Sequence, residues 1–209
     1  YVSTAYWNRV VDVSDLDNPV NITLTGLGYD VLLHEFSPDG NYLIGRIHNN
    51  SWGYPGYKWA IYDINDMSEP LHVIFENAAG IQTYSPSWSL DSSQVFFVSN
   101  FLHGDQGGAI FSIAPNGDNL RLITPITNKV SSRLAISPDG AKIGYFAWDS
   151  DPNQKDIWII NSDGSNNRKL DIQSTRPENP IWARGSAPFV PTPTPTPTPT
   201  PVPTATPRP

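Results

Sequence analysis

The chain has 209 residues, a formal charge of −7, no cysteine, 21 prolines and 11% aromatic residues. The acidic charge is spread over loops without blocks, which works against holding a polyanion by counterion release, so nucleic acid is not an expected partner. The lack of cysteine removes disulfides and thiolate metal sites, and no apolar run is long enough to span a bilayer.

No basic-apolar-small leader opens the sequence, and its first residue is Tyr1 rather than Met, so it reads as a fragment or a processed chain. Three segments repeat: Phe36-Ser37-Pro38-Asp39-Gly40, Trp88-Ser89-Leu90-Asp91-Ser92 and Ile136-Ser137-Pro138-Asp139-Gly140, with a fourth beginning at Trp182-Ala183. Phe36, Trp88, Ile136 and Trp182 lie 52, 48 and 46 residues apart, about one four-stranded propeller blade each.

In chain order, residues 1–30 align with the last two strands, C and D, of a blade, with 10–13 matched to 61–64. Full blades follow at about 31–80, 81–131 and 132–177, and a closing strand A is expected at 178–184. Strand B falls at 41–47, 93–99 and 141–147, each rich in β-branched and aromatic residues. Strand C falls at 59–64, 109–113 and 157–160, and strand D at 71–75, 120–124 and 168–172.

The Ser-Pro-Asp-Gly turn joins strands A and B by a stated mechanism: Pro presets φ, Asp bonds its own backbone, and Gly takes positive φ. Gly140 is therefore expected at positive φ, and Ser92, its counterpart in the degenerate second turn, is expected to matter less. Trp88 and Trp182 are placed in inner strands, as core residues.

These residues resemble the WD-repeat-like β-propeller repeat of the TolB-like family, whose units carry Ser-Pro-Asp-Gly and later an Ile-aromatic strand before an Asp-Gly turn. The third unit matches best, through Ser137-Pro138-Asp139-Gly140 and Asp156-Ile157-Trp158-Ile159-Ile160-Asn161-Ser162-Asp163-Gly164. The resemblance covers roughly 7–184. It implies an all-β fold: a partial propeller of four-stranded blades over residues 1–187, with about three full blades and incomplete first and last ones.

Residues 188–209 are a Pro/Thr-rich linker. Alternating Pro and Thr removes every second N–H and restrains the residue before it, so an extended polyproline-II spacer of roughly 60 Å is expected. Such tracts resemble interdomain linkers of exported bacterial proteins, and an O-glycosylated stalk is one reading of this one.

The long B–C loops of a propeller share one rim, where ligands reach the central channel. That rim offers His48, Asn49, Trp52, Tyr54, Tyr57, Phe101, His103, Asp105, Trp148, Asp149 and Asp151 as ligand-binding candidates, with the aromatics stacking on a sugar or peptide. The competing role for each aromatic is packing between blades.

Asp149-x-Asp151-x-Asn153 starts like a calcium loop, but Gln154 stands where Gly belongs and Ile160 where Glu belongs, so it reads as a turn. His34, His48, His72 and His103 lack metal-ligand spacing. No cofactor is expected, and no nucleophile elbow points to catalysis.

The resulting expectation is a non-catalytic extracellular, cell-surface or periplasmic module that binds a protein or carbohydrate partner. No membrane insertion is expected, and self-association is expected through incomplete blades. Its rivals are the accessory propeller of a larger enzyme such as a serine peptidase, and a building block of a surface layer or fibre.

Overall fold

A computed structural model of the chain describes residues 2–4, 9–12, 17–18, 20–22, 31–49, 56–74, 81–102, 107–125, 127, 129–148, 155–171 and 180–182. Among them there is no helix. An N-terminal sheet holds β1 (Val2–Thr4), β2 (Arg9–Asp12) and β3 (Val20–Ile22), and three four-stranded antiparallel blades follow.

The first blade is β4 (Val31–Phe36), β5 (Tyr42–Asn49), β6 (Gly56–Asp63) and β7 (His72–Val73). The second is β8 (Thr83–Trp88), β9 (Val95–Ser99), β10 (Ala109–Ile113) and β11 (Arg121–Leu122). The third is β12 (Lys129–Ile136), β13 (Lys142–Trp148), β14 (Lys155–Asn161) and β15 (Arg168–Lys169). Each blade is a plain meander in which sequence neighbours pair. This is the repeated β-propeller blade expected from the 46- to 52-residue period.

The N-terminal sheet corrects the sequence alignment in one respect. Residues 1–30 supply three strands rather than two, because Val2–Thr4 pairs antiparallel with Arg9–Asp12, Ser3 opposite Val10. The alignment matched apolar runs and passed over this short segment, whose valine and threonine suit a strand. At the other end, 180–182 joins no strand. Trp182 nevertheless stands where an inner-strand residue belongs: its indole N–H donates to Ala135 O at 2.9 Å, as that of Trp88 donates to Glu35 O at 3.3 Å.

The core forms between blades, and period-2 alternation builds it. Every residue of β9 is buried, so its two faces serve two cores. Val95 and Phe97 face the first blade, where Ile44, Ile61, Trp88, Phe111 and Ile113 join them. Phe96 and Val98 face the third, with Ile110, Ile143, Tyr145 and Ile160. The outermost strands of all three blades are two residues long, shorter than the five expected, and short outer edges limit strand pairing with other chains.

The A–B turns fix each blade at one end. Ser37, Ser89 and Ser137 donate to Asp39, Asp91 and Asp139 at 2.5–2.7 Å and accept the N–H of Tyr42, Gln94 and Lys142 at 2.9–3.0 Å. The carboxyls are held low by these bonds, that of Asp39 at about 2, chiefly through the Ser37 hydroxyl. Gly40 and Gly140 take φ of 77° and 71°, as the turn type requires.

Candidate functional site

The turn chemistry places the Ser-Asp turns at one end of the blades and the B–C loops at the other. At the turn end, a cleft of about 380 Å³ is lined by Asp91, Asp139, Asp163 and Arg121. All three carboxylates already accept from neighbouring serine hydroxyls or backbone N–H groups, so they are structural. Among the described residues no group of His, Asp or Glu is arranged to hold a metal ion.

The B–C end carries the expected rim, of which part is described. Phe101 lies in the loop after β9, is 51% exposed, and sets one edge against Phe111 with ring centroids 6.4 Å apart. Trp148 closes β13 directly opposite Lys155, whose ammonium sits 4.8 Å from the indole centroid.

The same corner is stitched between blades. Gly108 exchanges backbone hydrogen bonds with Val130 at 2.6 and 2.8 Å. Gly107, at φ 120°, passes so close to Trp148 that a Cβ there would stand 3.3 Å from its ring and 3.1 Å from Lys129 Cβ. Glycine is needed at 107 for both conformation and room. Trp148 thus packs against the preceding blade's loop, the competing role named for it, and is half-buried with a cation beside it.

His48, Asn49 and Tyr57 lie at the mouth of the first blade's B–C hairpin, His48 opposite Tyr57 and Asn49 opposite Gly56. Their side chains lie outside the described residues, as do Trp52, Tyr54, His103, Asp105, Asp149 and Asp151.

Sequence reasoning passed over a second polar group on the inner part of the first two blades. The His34 ring leans on Trp59 at 4.8 Å and 58°, and the Arg46 guanidinium lies 6.0 Å from the Trp59 centroid. Trp59 Nε1 donates to Thr83 O of the next blade at 2.9 Å, and His34 Nε2 stands 3.2 Å from Pro86 O. Desolvation lowers the His34 pKa and Arg46 adds repulsion, while burial raises that of Glu35. His34 looked like an isolated strand residue because its neighbours come from another strand and another blade. The adjacency of Arg46 and Trp59 was available only from their cross-strand register.

No family model and no curated protein matches the chain. Solved structures do match. A TolB from Agrobacterium tumefaciens aligns over 77% of this chain and 59% of its own, at 16% identity and TM-score 0.51. TolB from Acinetobacter baumannii aligns over 75% of this chain and 36% of its own, at 19% identity and TM-score 0.50. An oligogalacturonate lyase from Vibrio parahaemolyticus aligns over 77% and 46%, at 16% identity and TM-score 0.55.

The fold is therefore that of TolB-like β-propellers, and the chain spans less than two thirds of each of these structures. A lyase and two TolB proteins share it, so the fold by itself does not assign a reaction.

Proposed function

We propose that this chain is part of a non-catalytic propeller module, exported to the periplasm or cell surface, that binds a protein or glycan partner through its B–C loop rim. The observation that supports this reading most is the rim corner at Trp148. A half-buried indole with Lys155 beside it, next to the backbone bridge between Gly108 and Val130, is a rigid aromatic contact on a loop-rich edge. Exposed Phe101 extends the same edge. Residues 188–209 act in this reading as a stiff, O-glycosylated spacer between the propeller and what it is tethered to.

The test is a glycan and peptide array probed with the 209-residue chain, followed by Phe101→Ala and Trp148→Ala. Loss of the array signal with unchanged far-UV spectra and melting supports the rim. Retained binding in both variants, or unfolding in both, sinks it.

A further inference from the structure

Trp182 takes the seat on the third blade that Trp88 takes on the first. Trp88 donates its indole N–H to Glu35 O, one residue before Phe36, and Trp182 donates to Ala135 O, one residue before Ile136. Glu35 stands opposite Ile44 and Ala135 opposite Gly144, so the parallel extends to packing: Trp88 joins one cluster with Ile44, and Trp182 lies on Gly144. Pro180 repeats Pro86, two residues before the tryptophan. Trp88 ends the inner strand of the second blade, so 180–182 mark the inner strand of a further one.

That blade needs strands B, C and D, and the Pro-Thr tract cannot supply them. From Pro191 to Thr200 every second residue lacks the N–H that a ladder requires. The N-terminal sheet is the complementary part. It has three strands in meander order, with β1 at one edge.

Register identifies the strands. Val11 aligns with Tyr62, and at the same offset Asp15-Leu16-Asp17-Asn18-Pro19 aligns with Asp66-Met67-Ser68-Glu69-Pro70. Val2 opposes Val11 as Leu43 opposes Tyr62, so β1 and β2 stand as strands B and C, and β3 follows as strand D. In each complete blade the residue at the Phe36 position of strand A opposes the residue at the Leu43 position of strand B: Phe36 and Leu43, Trp88 and Val95, Ile136 and Ile143. These rungs lie between the A–B turn and the bulge of the inner strand, which falls between Leu33 and Glu35, Tyr84 and Ser87, or Val130 and Leu134. The same rung in the further blade sets Trp182 opposite Val2, and the next sets Ile181 opposite Ser3.

We propose that the N-terminal sheet of one copy of this chain adds to residues 180–182 of a second copy, forming a blade from two chains with Trp182 opposite Val2. Among the described residues of one molecule, β1 pairs with β2 alone and 180–182 pairs with no strand. Exchange between copies gives both open edges a partner without breaking any pairing already made. A two-fold axis relating the copies completes both such blades at once.

The chain has no cysteine, so introduced pairs read the register directly. Opposed Cα atoms of an antiparallel pair lie roughly 4.5–5.5 Å apart, within disulfide reach. The experiment refolds the 209-residue Ser3→Cys and Ile181→Cys chains together under mild oxidation and resolves them on a non-reducing gel. Ile181 is 86% exposed, so its replacement opens no cavity. A disulfide-linked dimer is expected from the mixture and not from either variant alone. Ser3→Cys mixed with Trp182→Cys, one residue out of register and on opposite faces, should give roughly tenfold less. Should the Ser3 variant melt early, Val2→Cys mixed with Trp182→Cys reads the adjacent rung.

No cross-link in either in-register mixture, or equal cross-linking in and out of register, overturns the proposal. The double variant Ser3→Cys/Ile181→Cys separates the two ways of completing the blade. A dimer that falls to single chains on reduction supports exchange between copies. A single chain with an internal disulfide would mean that the blade closes within one molecule, overturning the exchange.

Discussion

Ser92 occupies a position that its sequence made look expendable. It replaces the glycine of the A–B turn, yet it keeps the glycine-like backbone at φ 60°, and its hydroxyl accepts the backbone N–H of Asp39 from the preceding blade at 3.0 Å. The residue is buried. A side chain at Gly140 meets a different obstacle, since a Cβ there would stand 3.1 Å from Leu90 Cγ of the second blade's turn. Both turns are therefore interblade contacts as well as hairpin closures.

Gly140→Val adds strain at positive φ and displaces Leu90. Ser92→Val adds a β-branched side chain at positive φ and leaves the Asp39 N–H without its partner. Each is expected to cost about 2 kcal/mol, from roughly 1 kcal/mol of strain and a similar sum for the lost contact. This revises the expectation that Ser92 matters less than Gly140. Urea denaturation of the two variants checks it, and a Ser92→Val variant as stable as the wild type would contradict it.

At the scale of strands, the repeats made B and C legible because each carries its own signal: β-branched and aromatic runs such as Val95-Phe96-Phe97-Val98, bounded by turn residues. The inner strands were legible as strands but not as bulged ones, because a bulge is a relation between two strands and Ser85-Pro86 carries no local mark of how many residues oppose it. For the same reason the group of His34, Arg46 and Trp59 was passed over, since its members meet only through cross-strand register. The outer strands came out shorter than read, since apolar residues such as Leu120 and Leu71 stay exposed there instead of pairing.

The register tryptophans are a case in which the repeat predicted packing as well as position. Trp88 is 3% exposed and stacks with Tyr42 at 5.8 Å, while Trp182 lies on Gly144, half-buried, 3.6 Å from where a Cβ would be. Trp88→Ala is expected to cost about 3–5 kcal/mol through the cavity it leaves. Trp182→Ala should cost less than half of that, because less of its surface is removed from water. Thermal and urea unfolding of both variants measure the difference, and equal losses would mean that Trp182 is enclosed as fully as Trp88.

Across the molecule, stability comes from faces shared by successive blades, so a blade face with no blade beside it among the described residues is the feature that governs solution behaviour. On the third blade, Ile143, Tyr145 and Ile160 face the second blade, and alternation turns Gly144, Phe146, Ile157 and Ile159 to the other side. Trp182 covers Gly144. Ile157 and Ile159 are half-buried, and Ile181 is 86% exposed. A contiguous apolar face of this kind favours association.

The 209-residue chain is therefore expected to sediment as a dimer or larger species at tens of micromolar. Ile159→Glu, which places a charge on that face without touching the blade-two core, should return it to a monomer while leaving its circular dichroism unchanged. A wild-type chain that stays monomeric and melts cooperatively would show that this face is already closed within one molecule. In that case the N-terminal sheet of Val2–Thr4, Arg9–Asp12 and Val20–Ile22 is the element to look for against it.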